Sequence, residues 1–187
     1  MERLIERIAA YQPGNEQEAV DQQQMLAFLR NNPDALDRTN LAGHFSASGW
    51  IVNHARDRVL LCYHKIYDSW SWTGGHADGE SDLESVAIRE ALEETGVVAK
   101  PVAPGEIFSL ETLYVMGHVK RGQYVPCHLH MNLTYLLEAD ETIPLKIKAD
   151  ENSGLRWFSV EDALKASTEP WMVNWIYRKL AEKMKTF

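Results

Sequence analysis

Cysteine is scarce in this chain: two residues, Cys62 and Cys127, among 187. Both lie in apolar, strand-like runs, and their flanks lack zinc-motif spacing. A disulfide framework is set aside in favour of two reduced, partly buried thiols. Long apolar runs are missing as well. None reaches the roughly 20 residues that cross a bilayer. The opening "MERLIERIAAYQ" carries charges through its apolar positions, unlike a signal peptide. Positive charge is in deficit, with 19 Lys and Arg against 27 Asp and Glu and a formal net charge of −8. Nucleic acid and anionic membranes want the opposite sign. An anionic small substrate stays open, because a bound cation reverses the local field. There is no repeat and no low-complexity tract. The expectation is a cytoplasmic enzyme: one domain of ordinary size plus an extension.

What is present divides into three stretches. Residues 1–40 read as a helical extension. Leu4, Ile5, Ile8 and Ala9 recur at helical spacing, "PGN" at 13–15 interrupts, and a second helix carries Met25, Leu26, Phe28 and Leu29. It is expected to pack on the domain, with a homodimer arm or a substrate lid as alternatives. Residues 41–187 form the main domain. "FSASGWIVNHARDRVLLCYHKI" holds two strands around a polar turn, and "YDSWSWTGG" alternates into glycines. After a central helix come the strand candidates "IFSLETLYVMGHVK", "VPCHLHMNLTYLLEA" and "GLRWFSV". A short helix "VEDALKAS" and a closing amphipathic helix after Pro170 complete the chain. Strands gathered around one helix, with helices at the ends, predict an α/β fold with a mixed sheet covered by helices.

The central helix is unusually acidic. Ser81 and Glu84 have the spacing of a capping box, and Gly96 stands where a left-handed C-cap belongs, which places the helix at about residues 82–95. At helical spacing Glu90, Glu93 and Glu94 share one stripe, while Ala87, Ile88, Ala91, Leu92 and Thr95 share another, the expected core face. Like charges one turn apart destabilise a helix by roughly 0.2–0.5 kcal/mol per pair. Anions near its C-terminus oppose the macrodipole as well. Converging oxygen ligands are what a hard divalent cation wants, so the stripe reads as a metal site rather than a solvated face. Arg89, four residues before Glu93, is placed to orient it.

These residues resemble the Nudix box, G-x5-E-x7-R-E-U-x-E-E-x-G-U, with U aliphatic. Gly75, Arg89, Glu90, Glu93, Glu94, Gly96 and Val97 match in register, and Ala91 is a small residue at the first U. Two positions depart: Ser81 stands where the pattern has its first Glu, with Glu80 one place earlier, and Thr73 precedes the glycines where Pro is frequent. The resemblance implies a Nudix-type α/β/α sandwich with a mixed sheet. It also implies hydrolysis of a nucleoside diphosphate linked to another moiety X. It implies Mg²⁺ or Mn²⁺ held by Glu90, Glu93 and Glu94, with a backbone carbonyl near Gly74 or Gly75, and with Glu80 at the edge of the site.

Within that expectation Glu90 is the bridging ligand or base and Arg89 its orienting partner. Glu151, in "KADENSGLRW", is the candidate base from a distant loop, with Glu111 second. "CHLHMN" puts His128 and His130 on one strand face. With His76, beside the glycine turn, they are the candidates for phosphate or base contact. No further ligand at credible spacing suggests zinc. Trp70 and Trp72 offer one core residue and one base-stacking residue. Two other readings stand beside the hydrolase: a catalytically silent nucleotide-binding or sensor module, and an enzyme resembling isopentenyl diphosphate isomerase. The second needs a reactive cysteine that neither Cys62 nor Cys127 supplies in recognisable context.

Overall fold

The computed structural model describes residues 1–120, 122–148 and 152–187, with the backbone alone at residue 120. Two amino-terminal helices, α1 (Glu2–Ala10) and α2 (Glu16–Asn31), flank the break at residues 13–15. The Asn15 side chain caps α2 by accepting the N–H of Glu18 at 2.9 Å, satisfying one of the free donors of the first turn. The strands follow: β1 (Gly43–Val52), β2 (Arg58–His64), β3 (Ser69–Ser71) and β4 (Thr73–His76). Then comes helix α3 (Leu83–Thr95). Strands β5 (Lys100–Pro101), β6 (Ser109–Val115), β7 (His118–Lys120), β8 (Gln123–Val125), β9 (His128–Glu138) and β10 (Asn152–Ser159) complete the set. Helix α4 (Val160–Ala166) precedes a π-helical segment, Met172–Tyr177, which runs into α5 (Arg178–Lys183).

Eight strands form one mixed sheet. Its main order is β10-β2-β1-β9-β5, with β3 on β2, β4 on β1 and β6 on β9. β1 and β9 run parallel over ten residue pairs, and their neighbours are antiparallel. All ten residues of β1 are buried, since strands flank it and helices cover both faces. Alternation sorts its side chains. Phe45, Ala47 and Ile51 face a core shared with Leu4, Ile8, Met25 and Leu29 of α1 and α2 and with Leu83, Val86 and Ala87 of α3. Trp50 and Val52 face a second core with Val173, Ile176, Tyr177 and Leu180. The helices of residues 1–40 are therefore part of the main core.

Several elements differ from expectation. The "IFSLETLYVMGHVK" run divides at Met116–Gly117 into β6 and β7, and β7 pairs with β8 as a separate hairpin. Helix α3 begins at Leu83, so Ser81 does not cap it; Asp82 precedes the first turn and makes no side-chain cap bond. The Glu84 carboxylate instead accepts the N–H of Gly105 at 2.9 Å, which ties α3 to a loop rather than closing a capping box. Gly96 does take the left-handed conformation, at φ +75°. The two stripes of α3 also exchange members: Leu92 is exposed and Glu94 is buried.

Candidate active site

The expected glycine turn is strand: Gly74 and Gly75 lie within β4, against which α3 packs. Ser48 stands opposite Gly74 and Ala47 opposite Gly75 in the β1–β4 ladder. A Cβ on Gly75 would lie 2.3 Å from Cδ of Glu90, so only glycine lets that carboxylate lie against the strand. Glu94 is only 5% exposed. Its Oε1 accepts the N–H of Gly74 at 3.0 Å. Its Oε2 accepts Nδ2 of Asn152 at 3.0 Å and the thiol of Cys62 at 3.2 Å. Among the described residues no Lys or Arg forms an ion pair with it. Burial raises the Glu94 pKa to about 7 against the pull of those three donors. Burial, and then the neighbouring Glu93, also raises that of Glu90, while Arg89 opposes. Arg89 lies 3.4 Å from Glu90 and 3.8 Å from Glu93, and Lys148 lies 3.5 Å from Glu93.

A buried carboxylate with neutral donors and no cationic partner among the described residues fits a hard divalent cation. The Oδ1 of Asn152 is a further buried acceptor with no hydrogen-bond partner among the described residues. Glu90, Glu93, Glu94 and the Gly74–Gly75 backbone carry oxygen donors of the kind that Mg²⁺ or Mn²⁺ accepts, although the three carboxylates do not converge on one point here.

Other expected residues are placed differently. Glu80 is exposed, and its carboxylate accepts the N–H of Asp82 at 2.8 Å, at the start of α3. Glu151 lies outside the described residues. Glu111 is no loop acid: it is fully buried on β6. Its carboxylate accepts from Lys179 at 3.0 Å, Asn132 at 3.1 Å and Thr134 at 2.7 Å. Asn132 in turn accepts the hydroxyls of Ser46 and Ser48 at 3.0 and 2.9 Å, which links Glu111 to β1, the strand that pairs with β4. Cys62 and Asn152, which hold Glu94, come from β2 and β10 and carry no motif. Cys62 is buried, whereas Cys127 is exposed. Trp70 packs edge-on against Tyr63 and Phe158, and Trp72 against Tyr177, so both serve packing.

The histidines gather. His128 and His130 do share a face of β9, and β1 adds His44 and β4 adds His76. His128 and His44 are buried; His76 and His130 are half-buried. Burial, then the neighbouring His76, His44 and His128, push the His130 pKa down to about 2, so the ring is neutral. His44 and His76 are remote from His130 in sequence and adjacent to it in the sheet, so imidazoles stand near that strand that sequence spacing could not show.

Comparison with known proteins agrees with this geometry. The NUDIX domain family model matches residues 43–179, well over half of the chain. A NUDIX-family hydrolase from Clostridium perfringens is 26% identical, with a TM-score of 0.54, over 76% of this chain and 97% of that one. A C. elegans Ap4A hydrolase, solved as a binary complex, is similar in fold, with a TM-score of 0.55 at 21% identity over 76% of this chain and 96% of its own. With the box residues drawn together on α3 and β4, the chain belongs to the NUDIX domain family and is a pyrophosphohydrolase of the Nudix type.

Proposed function

We propose that the chain hydrolyses the diphosphate linkage of a nucleoside diphosphate joined to another moiety X, with water attacking phosphorus. The cation would be Mg²⁺ or Mn²⁺, held by Glu90, Glu93, Glu94 and a carbonyl near Gly74 or Gly75. When bound, it supplies charge neutralisation for the diphosphate oxygens and acidifies water. One observation carries this reading: Glu94 is buried against Gly74 of β4 with three neutral donors and, among the described residues, no basic partner. Gly74, Cys62 and Asn152 fix both oxygens of Glu94. Arg89 orients Glu90 and Glu93. Glu90, against β4, takes a proton from the attacking water. Glu151 is the alternative base.

The test is a substrate panel with Mg²⁺ or Mn²⁺: nucleoside triphosphates, sugar nucleotides, dinucleoside polyphosphates and ADP-ribose, read by coupled phosphate release. Turnover of one class, lost on chelation, is the expected result. Tight nucleotide binding with no turnover across the panel would replace this reading with the binding module.

A further inference from the structure

We propose that His44, His76 and His130 form a site for a zinc-class transition-metal dication, separate from the glutamate cluster. In the β1–β9 ladder His44 stands opposite His130, and in the β1–β4 ladder Ser46 stands opposite His76. Residues two apart on a strand share a face. The three rings, with His128, therefore project from the same side of the sheet. Centroids of His44, His76 and His130 lie 4.9–5.0 Å apart. One ligand nitrogen from each lies within 4.8 Å of the others. Tetrahedral zinc with Zn–N bonds of about 2.0–2.1 Å sets its nitrogens about 3.4 Å apart, which modest imidazole rotations reach.

Hydrogen bonds fix which nitrogens carry lone pairs. Nδ1 of His44 lies 3.2 Å from the Asn40 carbonyl, which only accepts, so Nδ1 holds the proton and Nε2 the lone pair. That Nε2 is buried with no hydrogen-bond partner among the described residues. Nδ1 of His128 donates to the Pro126 carbonyl at 2.8 Å, so its Nε2 accepts Nε2–H of His130 at 3.1 Å. The other nitrogen of His130 then carries a lone pair. Metal-bound histidines show this pattern, with one N–H on an outer acceptor and the other nitrogen for the ion. His128 positions His130 in this way. Imidazole donors select zinc and its late first-row neighbours over Mg²⁺, which prefers oxygen.

The two sites lie on opposite sides of β4. A side chain on Gly75 would point at Glu90, and His76, the next residue, points the other way. An ion between the histidines would tie together β1, β9 and β4, the strand that carries Gly74 and Gly75. It would take His76 and His130, with His128 hydrogen-bonded behind them, out of the substrate-contact role expected of them.

The untagged full chain, stripped of metal, is given Zn²⁺ in excess Mg²⁺ and desalted. Stoichiometric retained zinc and a raised melting temperature are expected. Co²⁺ in its place should give the intense visible absorption of a four- or five-coordinate nitrogen site. His44→Ala and His130→Ala should each lower zinc affinity at least about tenfold, while Glu90→Gln and Glu93→Gln retain it. Failure of the wild type to hold zinc, retention by both histidine variants, or loss in the glutamate variants would overturn the proposal. Should a histidine variant not fold, X-ray absorption of the zinc-loaded wild type decides: imidazole scattering supports the site, and an oxygen-only shell sinks it.

Discussion

At Glu94, burial outweighs three hydrogen-bond donors and lifts the pKa from its ordinary 4.5 to about 7. Without metal the folded chain keeps a proton that the unfolded chain releases. Stability therefore falls as pH rises from 4.5 to 7, by up to about 3 kcal/mol, and the loss is complete above that window. In chelator, urea midpoints for the wild type should drop between pH 5 and pH 8, and Glu94→Gln should lose this share of the slope. Mg²⁺ should raise the wild-type midpoint more than the variant's, by mass action. Equal slopes would show that Glu94 does not hold that proton. In turnover, Glu94→Gln should cost about 10²–10³-fold, the scale of losing a charge that stabilises the transition state. Gly75→Ala places a methyl against Glu90. The carboxylate must swing off the strand, and kcat should fall by about 10–100-fold with the circular dichroism unchanged. Wild-type kcat in that variant would mean that the reaction does not need Glu90 held there.

Among the elements, the contact between α2 and α5 is the most exposed to test. Glu18 of α2 is fully buried. It accepts from Ser109 at 2.7 Å and from Lys183 at 2.8 Å, and Lys179 lies 3.3 Å away while bridging to Glu111. Burial alone would raise the Glu18 pKa, but Lys179 and Lys183, with the Gly14 N–H, bring it down to about 2. This stabilisation is complete above the ordinary 4.5 and disappears as pH falls towards 2. Glu18→Gln leaves two lysines poorly compensated and should cost about 3–5 kcal/mol at pH 7. The difference from wild type should shrink as pH falls through that window. A constant difference down to pH 2 would assign the loss to packing rather than charge. None of this was legible in the sequence. The helical spacing of residues 1–40 shows apolar positions, and Glu18 sits among polar neighbours as a solvated acid would.

For the whole molecule, the amino-terminal helices belong to the core rather than to an appendage. Leu4, Ile8, Met25 and Leu29 share a cluster with α3, which carries the glutamates. Four such side chains at about 1.5–3 kcal/mol each rival the entire net stability of an ordinary domain, about 5–15 kcal/mol. Deleting residues 1–31 should abolish cooperative unfolding, as followed by calorimetry. A truncated chain with the wild-type melting temperature would make the extension peripheral. Sequence by itself determined an acidic helix after the glycine pair and the αL stop at Gly96, because helix period and glycine conformation are local properties of the backbone. It could not show that Glu94 is buried, that Cys62 and Asn152 hold it, that Glu111 and Glu18 are neutralised by lysines of α5, or that His44 and His76 meet His130. Those contacts join residues far apart in the chain. Strand register and helix docking decide them, and neither is written in any single segment.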